Sequence, residues 1–375
     1  MARVRPERRR PIDLAVTAAI VVVVAALCVT AWALSPVRHT VSVPAAAAGA
    51  SLLVVSERKL PALQRLTTPL LVVDDVLKAL ERLAAVARMR ATGQVIAVTG
   101  SVGKTTTKEA LRHALGACGT VHASAASFNN HWGVPLSLAR LPQETDYAVF
   151  EIGMNHPGEI RPLVKLVQPH VAIVTLIAPA HLGHFRDLEE IADAKGEIFE
   201  GVVPGGSAII NADDPYGPHL ADLARTAGVT RIARFGEAGT ADFRLVRFQK
   251  LDDGANMEAR IDGTNVDVRI ASSGRHIAQN MLAVLGAVDL VGADLGKAAE
   301  ALSGWRTGKG RGARHDVPAG SGIIRVIDES YNANPASMRA AIAVLAGAEP
   351  RADGRRVAVL GDMLELGGES ARLHA

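Results

Sequence analysis

Apolar residues along this chain fall in short β-branched runs that alternate with helical spacings over most of its length. Such runs predict strands, and apolar residues recurring every three or four positions predict helices. Because continuous apolar strands that alternate with helices form parallel sheets covered on both faces, the sequence predicts an α/β fold with a central parallel sheet. The predicted central strands are residues 95–99, 147–152, 171–177, 207–211 and 231–235.

The signals change on the C-terminal side of these strands. Alternating apolar and polar residues predict antiparallel hairpins at the sheet edge, at 243–248, 257–261 and 266–270. Helical spacings follow at 276–290 and 295–302, and a glycine- and arginine-rich stretch at 308–314 predicts a hinge. The central domain is therefore expected to span residues 93–314.

Smaller units are predicted on either side of that domain. Residues 41–92 contain apolar runs at 52–55 and 70–73 and a helical spacing at 76–88, which predict a partial α/β domain. Residues 315–375 predict strands at 323–327 and 357–360 around a helix at 337–345. Because two strands do not make a stable sheet domain, this last unit is expected to be a truncated, Rossmann-like α/β domain.

The first forty residues fit neither pattern. An arginine-rich start precedes an uncharged run of 21 residues, 14–34, which is long enough to span a bilayer. Read as a membrane anchor, the run would place the remaining chain outside the cytoplasm. The alternative is an erroneous or frame-shifted start.

Composition narrows the class of protein. The chain has 49% hydrophobic and 21% charged residues and a formal net charge of +3, which is typical of a globular protein. Only 3% of residues are aromatic, so neither charge nor base stacking suggests a nucleic-acid partner. Cys28 and Cys118 lie outside any metal-ligand spacing, which favours a reducing cytoplasm.

The clearest chemical signal is a glycine turn between strand 95–99 and a helix. Strand, turn and helix N-terminus together bind phosphate, because glycines let backbone N–H groups approach an anion and the helix dipole favours negative charge. The lysine can reach terminal phosphates and the threonine hydroxyl can ligate Mg²⁺. The predicted ATP contacts here are Gly100, Ser101, Val102, Gly103, Lys104, Thr105 and Thr106.

Three ionisable residues are candidates for the same site. Glu151 ends a predicted strand and is placed to ligate Mg²⁺, or it is a satisfied strand-end acid. His181 follows another strand and could ligate a metal or contact substrate, although a single histidine is more often structural. Lys195 lies in a predicted helix, where pattern alone favours a solvated lysine.

Two polar segments could bind substrate. The first, Asn129-Asn130-His131, offers amide donors and acceptors, or it is a self-capping turn. The second runs from Asp328 through Tyr331 to Asn334, where Asp328 could accept a hydrogen bond from a nucleotide hydroxyl. In the hinge, Arg311 and Arg314 are candidate phosphate contacts, or they form a solvated basic turn.

Several of these segments resemble motifs of the Mur ligase family of peptidoglycan synthesis, in the family's order. They include TGSVGKTT from Thr99, SFNNHWGVPL from Ser127, EIGMN from Glu151, APAHL from Ala178 and AKGEIF from Ala194. DESYNANP and GDMLELG, later in the chain, resemble the branch that adds D-alanyl-D-alanine.

The resemblance implies an ATP-dependent ligase. ATP would phosphorylate the terminal carboxylate of UDP-N-acetylmuramoyl-tripeptide, and the amine of D-alanyl-D-alanine would attack the acyl phosphate. Carried over by motif, Thr105, Glu151, His181 and Lys195 would hold Mg²⁺, with Lys195 carbamoylated. Asn280 would contact adenine, while Arg311 and Asp328 would complete the nucleotide site. The predicted substrate contacts are Asn129, Asn130, His131, Tyr331 and Asn334.

The departures from the family leave alternatives open. Only the rear of the family's first domain is recognisable, and the third domain ends early, so an inactive fragment that binds nucleotide is one alternative. A membrane-anchored nucleotide-binding protein is another, and a folylpolyglutamate-synthase-like enzyme is a third. The Mur ligase interpretation predicts a cytoplasmic monomer and treats 14–34 as a wrong start.

Overall fold

A computed structural model of the chain describes residues 49–180, 182–251, 254–272, 274–319, 322–349 and 354–374. The apolar run 14–34 and His181 lie outside these residues, so the interpretations of both stay predictions. Within the described ranges, no helix is long and apolar enough to cross a membrane.

The strands form three sheets. A small parallel pair, β1 and β2, precedes a nine-stranded sheet with the order β11-β10-β9-β8-β7-β6-β3-β5-β4, and a hairpin of β12 and β13 follows it. The strands are β1 (Leu53–Ser56), β2 (Leu70–Val73), β3 (Gln94–Thr99), β4 (Val121–Ala123), β5 (Tyr147–Glu151), β6 (Val171–Val174), β7 (Ser207–Asn211), β8 (Arg231–Gly236), β9 (Phe243–Leu251), β10 (Gly254–Ile261), β11 (Thr264–Ile270), β12 (Ala313–Ala319) and β13 (Gly322–Asp328).

The helices lie mainly between the strands of the large sheet. Short 3₁₀ helices occur at Glu57–Lys59, Leu182–His184, Glu197–Gly201 and Gly367–Glu369. The α-helices are α1 (Leu60–Leu63), α2 (Val76–Arg90), α3 (Lys104–Gly116), α4 (Gly133–Ala139), α5 (Ile160–Val167), α6 (Leu188–Gly196), α7 (Gly217–Thr226), α8 (Arg275–Leu290), α9 (Leu295–Gly304), α10 (Pro335–Ala346) and α11 (Ser370–His374).

The large sheet confirms the predicted α/β fold. Strands β3 to β9 pair in parallel, and β9, β10 and β11 form the predicted antiparallel edge. Successive residues of β3 enter opposite cores: Val95 and Ala97 pack on one face, Ile96 and Val98 on the other. Both faces are therefore apolar, which explains the continuous apolar runs in the sequence.

The central strand 171–177 was predicted too long. The ladder ends at Val174, and the next residues bond to the phosphate loop and to the turn that follows β7 instead. Thr175 Oγ1 donates to the Val102 carbonyl at 2.5 Å, and Ile177 N donates to Asp214 Oδ2 at 2.6 Å. The bonding partners, Val102 and Asp214, lie far away in sequence, so the apolar pattern of this segment does not indicate them.

The C-terminal unit differs from its prediction in one strand. Strand β13 forms as expected and pairs antiparallel with β12, which begins at Ala313. The strand predicted at 357–360 is wrong, because this segment pairs with no strand among the described residues. Its apolar side chains are exposed, with Val359 at 92%. The domain boundaries at 92 and 314 stay predictions.

Candidate active site

The phosphate loop has a backbone that requires glycine at two positions. Gly100 and Gly103 have φ angles of +148° and +89°, a range that side chains disfavour. A Cβ on Gly100 would lie 1.9 Å from Thr175 Oγ1. The loop leads directly into helix α3 at Lys104, so its backbone N–H groups and the helix N-terminus face the carboxyl edge of the sheet.

The end of β6 fixes this loop in place. Besides the Thr175–Val102 bond, Ser101 N donates to the Leu176 carbonyl at 2.7 Å. Ser101 Oγ accepts from Ala178 N at 3.0 Å. Since Thr175 is 1% exposed and Ser101 is 8% exposed, water does not compete for these bonds. The loop is therefore held before any nucleotide binds.

Lys104 curls back over the loop. Its Nζ donates to the Gly100 carbonyl at 2.6 Å. Desolvation lowers the pKa of Lys104, the charge of Glu151 opposes this, and the charge of Arg311 adds to the lowering. These charges act on Lys104 because Glu151 and the hinge arginine Arg311 lie near it.

Glu151 is the buried carboxylate of the site. It is 1% exposed, its Oε2 accepts from Thr105 Oγ1 and its Oε1 from Asn129 Nδ2, each at 2.8 Å. Among the described residues no cation forms an ion pair with Glu151. A hydroxyl beside a buried carboxylate fits the oxygen ligands that Mg²⁺ prefers. No group of three His, Cys, Asp or Glu side chains suited to a metal occurs within the described ranges.

Lys195 is buried, which corrects the solvated-lysine reading of its pattern. It is 2% exposed on α6, and within the described residues it forms no ion pair. Desolvation lowers its pKa well below the usual range, and the charge of Lys104 lowers it further. Burial and the neighbouring charge of Lys104 therefore both favour the unprotonated amine of Lys195.

The hinge and β13 form a second part of the site. Asp328 accepts from Gly310 N at 3.0 Å and from Ser330 Oγ at 2.6 Å, and these bonds lower its pKa. The Arg311 guanidinium stacks over the Tyr331 ring at 4.1 Å from its centroid. Tyr331 OH donates to Ser127 Oγ at 2.7 Å, which joins this part to the loop that carries Asn129.

Some predicted substrate contacts have structural roles in the described chain. Asn130 Oδ1 accepts from Gly133 N at 2.9 Å and from Trp132 N, as a self-capping turn would. Asn334 forms a capping box with Ser337 at the start of α10. His131 is exposed beside Trp132.

Asn280, on helix α8, packs against the phosphate loop. A Cβ on Gly103 would be 2.9 Å from its Nδ2, so this side chain packs against the backbone that would face a phosphate. Arg314 in β12 pairs with Ile327 in the ladder.

Three residues that shape the site were missed from the sequence. Thr175 and Asp214 form the bonds that hold the segment directly after β6, and Lys108 on α3 is fully buried. Asp214 is 3% exposed, and burial raises its pKa. A hydroxyl directly after a central strand is a usable signal for Thr175. The sequence gives no such signal for Lys108, because a lysine in a helix normally reaches solvent.

Comparison with known proteins identifies the family. The Mur ligase middle domain matches residues 98–288, and the domain described as Mur ligase, glutamate ligase domain matches 313–375. UDP-N-acetylmuramoyl-tripeptide–D-alanyl-D-alanine ligase of Escherichia coli K12 is 38% identical over 337 residues, which are 90% of this chain and 71% of that protein. The chain belongs to the Mur ligase family.

Solved structures agree with this assignment. MurF from Acinetobacter baumannii has a TM-score of 0.78 at 34% identity, covering 88% of this Mur ligase chain and 70% of its own. MurF ligase from Thermotoga maritima in complex with ADP has a TM-score of 0.72 at 25% identity, and the match covers 86% of this chain and 77% of the Thermotoga chain. This Mur ligase chain spans about two thirds of the length of the curated relatives it matches.

Proposed function

We propose that this chain is the ATP-dependent ligase that joins D-alanyl-D-alanine to UDP-N-acetylmuramoyl-tripeptide, a step of peptidoglycan precursor synthesis. The tripeptide carboxylate attacks the γ-phosphorus of ATP and ADP leaves. The amine of D-alanyl-D-alanine then attacks the acyl phosphate, an amide forms and phosphate leaves with the surplus proton taken by solvent. The observation that carries the proposal is the group at the phosphate loop formed by half-buried Lys104 with buried Thr105, Glu151 and Lys195.

The protein's own work in this reaction is positioning and charge stabilisation. Loop N–H groups from Gly100 to Thr106 bind phosphate oxygens, and Lys104 leaves the Gly100 carbonyl to meet the terminal phosphates. Asn280, packed on Gly103, contacts the bound nucleotide, with Arg311 and Asp328 approaching from the hinge. No side chain is required as a nucleophile.

Thr105 and Glu151 are the residues that would hold the first Mg²⁺, and Glu151, His181 and Lys195 would hold a second ion. A bound Mg²⁺ supplies charge neutralisation on the transferring phosphoryl group. Because Glu151 is buried between the Thr105 hydroxyl and the Asn129 amide, its carboxylate is already oriented toward the phosphate loop.

Carbamoylation would turn Lys195 into an anionic ligand. The unprotonated amine attacks CO₂, a C–N bond forms and one proton is released, which leaves a carbamate. A buried lysine with a strongly lowered pKa suits this step, since only the neutral amine is nucleophilic.

The remaining assignments follow from the relatives. Substrate contacts are proposed at Asn129, His131 and Tyr331, while Asn130 and Asn334 act by shaping the loops around them. An enzyme that consumes ATP belongs in the cytoplasm, and we propose that it works there as a monomer. The relatives are named UDP-N-acetylmuramoyl-tripeptide–D-alanyl-D-alanine ligases, which disfavours the folylpolyglutamate-synthase alternative.

Mass spectrometry of the products tests the proposal. The full chain is incubated with Mg-ATP, UDP-N-acetylmuramoyl-tripeptide and D-alanyl-D-alanine, and Lys104→Ala is the control. We expect a UDP-linked pentapeptide from the wild type and none from the variant. Nucleotide binding without product would support the nucleotide-binding fragment and refute the ligase.

A further inference from the structure

Lys108 is a buried cation that the reaction proposed above does not use. It lies on α3, one turn after Lys104, and its side chain is 0% exposed. Its Nζ donates to the Ser124 carbonyl at 2.8 Å and to the Ala126 carbonyl at 2.6 Å, and it pairs with Glu109 Oε1 at 2.7 Å. A buried ammonium is costly unless its protons are all used, and here three oxygens surround it.

The two carbonyls belong to the loop between β4 and α4, which we call the clamp loop, residues 124–129. Ala126 in its centre has a φ of +45°, a conformation uncommon for residues other than glycine. The Lys108 ammonium bonds the carbonyl of Ala126 itself and that of Ser124 two residues earlier. One side chain of α3 therefore holds the clamp loop in its turn.

The clamp loop reaches two parts of the candidate site. Asn129 at its end donates to Glu151 Oε1, and its own carbonyl accepts from Gly153 N at 2.8 Å. Ser127 in its middle accepts from Tyr331 OH, whose ring lies under Arg311. A shift of the loop would move the Glu151 carboxylate and the Tyr331 contact together.

We propose that Lys108 is a positioning residue for phosphoryl transfer: it holds the clamp loop so that Asn129 orients Glu151 and Ser127 meets Tyr331. The inference rests on the function proposed above. The phosphate loop is held independently through Thr175 and Ser101, so Lys108 acts mainly on the reaction step and less on nucleotide binding.

Lys108→Met tests this directly, because methionine fills the space without donors. Arg112→Met is the matched control: Arg112 lies one turn further along α3 and donates to the same Glu109 at 2.8 Å, but it is 58% exposed. The readouts are kcat, KM for ATP and hydrogen exchange of peptides covering 124–130, all on the full chain.

We expect Lys108→Met to lower kcat about 100-fold, the scale of a 1 Å misplacement, with a much smaller change in KM for ATP. Exchange should rise in 124–130 and stay low in α3. Arg112→Met should match the wild type in all three readouts. A folded Lys108→Met with wild-type kcat would overturn the proposal, as would equal losses in both variants.

Lys108→Arg keeps the proposal testable if Lys108→Met does not fold. Its guanidinium retains donors for the two carbonyls, so protection of 124–130 and much of kcat should return. An unprotected clamp loop with full kcat in Lys108→Arg would refute the inference. If the wild type makes no product, the proposed function fails, while hydrogen exchange still reports whether Lys108 holds the loop.

Discussion

Replacing Thr175 by valine tests how the phosphate loop is held. Valine keeps the shape of threonine and removes the hydroxyl that donates to the Val102 carbonyl at 2.5 Å. The carbonyl then faces an apolar side chain that is almost fully buried, as Thr175 is 1% exposed. An unpaired buried polar group costs about 1–3 kcal/mol. Because Val102 is only half-buried, we expect about 1–2 kcal/mol.

This cost should appear in nucleotide binding. The bond orders the loop whose N–H groups face phosphate, and 1–2 kcal/mol corresponds to a factor of about 5–30 in an equilibrium constant. Isothermal titration calorimetry with ADP should therefore show a Kd raised by up to that factor, and urea unfolding should show a lower midpoint.

Thr175→Ser is the matched control for this change. Serine keeps the hydroxyl and loses the methyl group, so nucleotide affinity should stay near that of the wild type. Wild-type affinity in Thr175→Val, or equal losses in the valine and serine variants, would refute the claim that this hydroxyl orders the loop.

Three further predictions concern other parts of the site. Glu151→Gln should abolish product formation while ADP still binds, since an amide lacks the charge that would hold Mg²⁺; product formation at any Mg²⁺ concentration would contradict this. The pKa of Lys195 is lower in the folded protein than in the unfolded chain, so Lys195 binds a proton on unfolding. This lowers the free energy of unfolding below pH 10.5, and the loss becomes smaller as pH rises. In CO₂-free buffer the unfolding free energy of the wild type should therefore rise with pH relative to that of Lys195→Met. The expected slope is about 1.4 kcal/mol per pH unit between the folded and unfolded pKa values of Lys195. If the unfolding free energies of the two proteins change with pH in parallel, a buried neutral amine is excluded. Asn334→Ala removes the cap of α10 and should cost about 1 kcal/mol in urea unfolding, whereas Asn334→Ser should restore it; equal stability of all three proteins would mean that the cap contributes nothing.

The sequence predicts best where a local pattern decides the outcome. Continuous apolar strands predict a parallel sheet, and the carboxyl ends of parallel strands lie at the same edge of the sheet. Lys104 and Glu151 could therefore be placed near each other from pattern alone. Burial of Lys195 could not, because its helix gives no sign of what packs over it.

Errors arose where distant residues decide local structure. The strand predicted at 357–360 has apolar residues but pairs with no strand in the described chain, and a strand needs a partner. Lys108 and Thr175 bind carbonyls brought near them by the sheet order, which no spacing encodes. Asn334, whose substrate contact stays a prediction, also caps α10, and asparagine before a proline at a helix start indicates such a cap.

Phosphate release by the full chain tests the central claim most directly. The assay supplies Mg-ATP with the UDP-muramoyl-tripeptide and D-alanyl-D-alanine, omits each in turn, and uses Lys104→Ala as the control. We predict sustained release that requires both acceptor substrates and Lys104. Release that continues without either substrate, or no release from a chain that binds ADP, would contradict a ligase function.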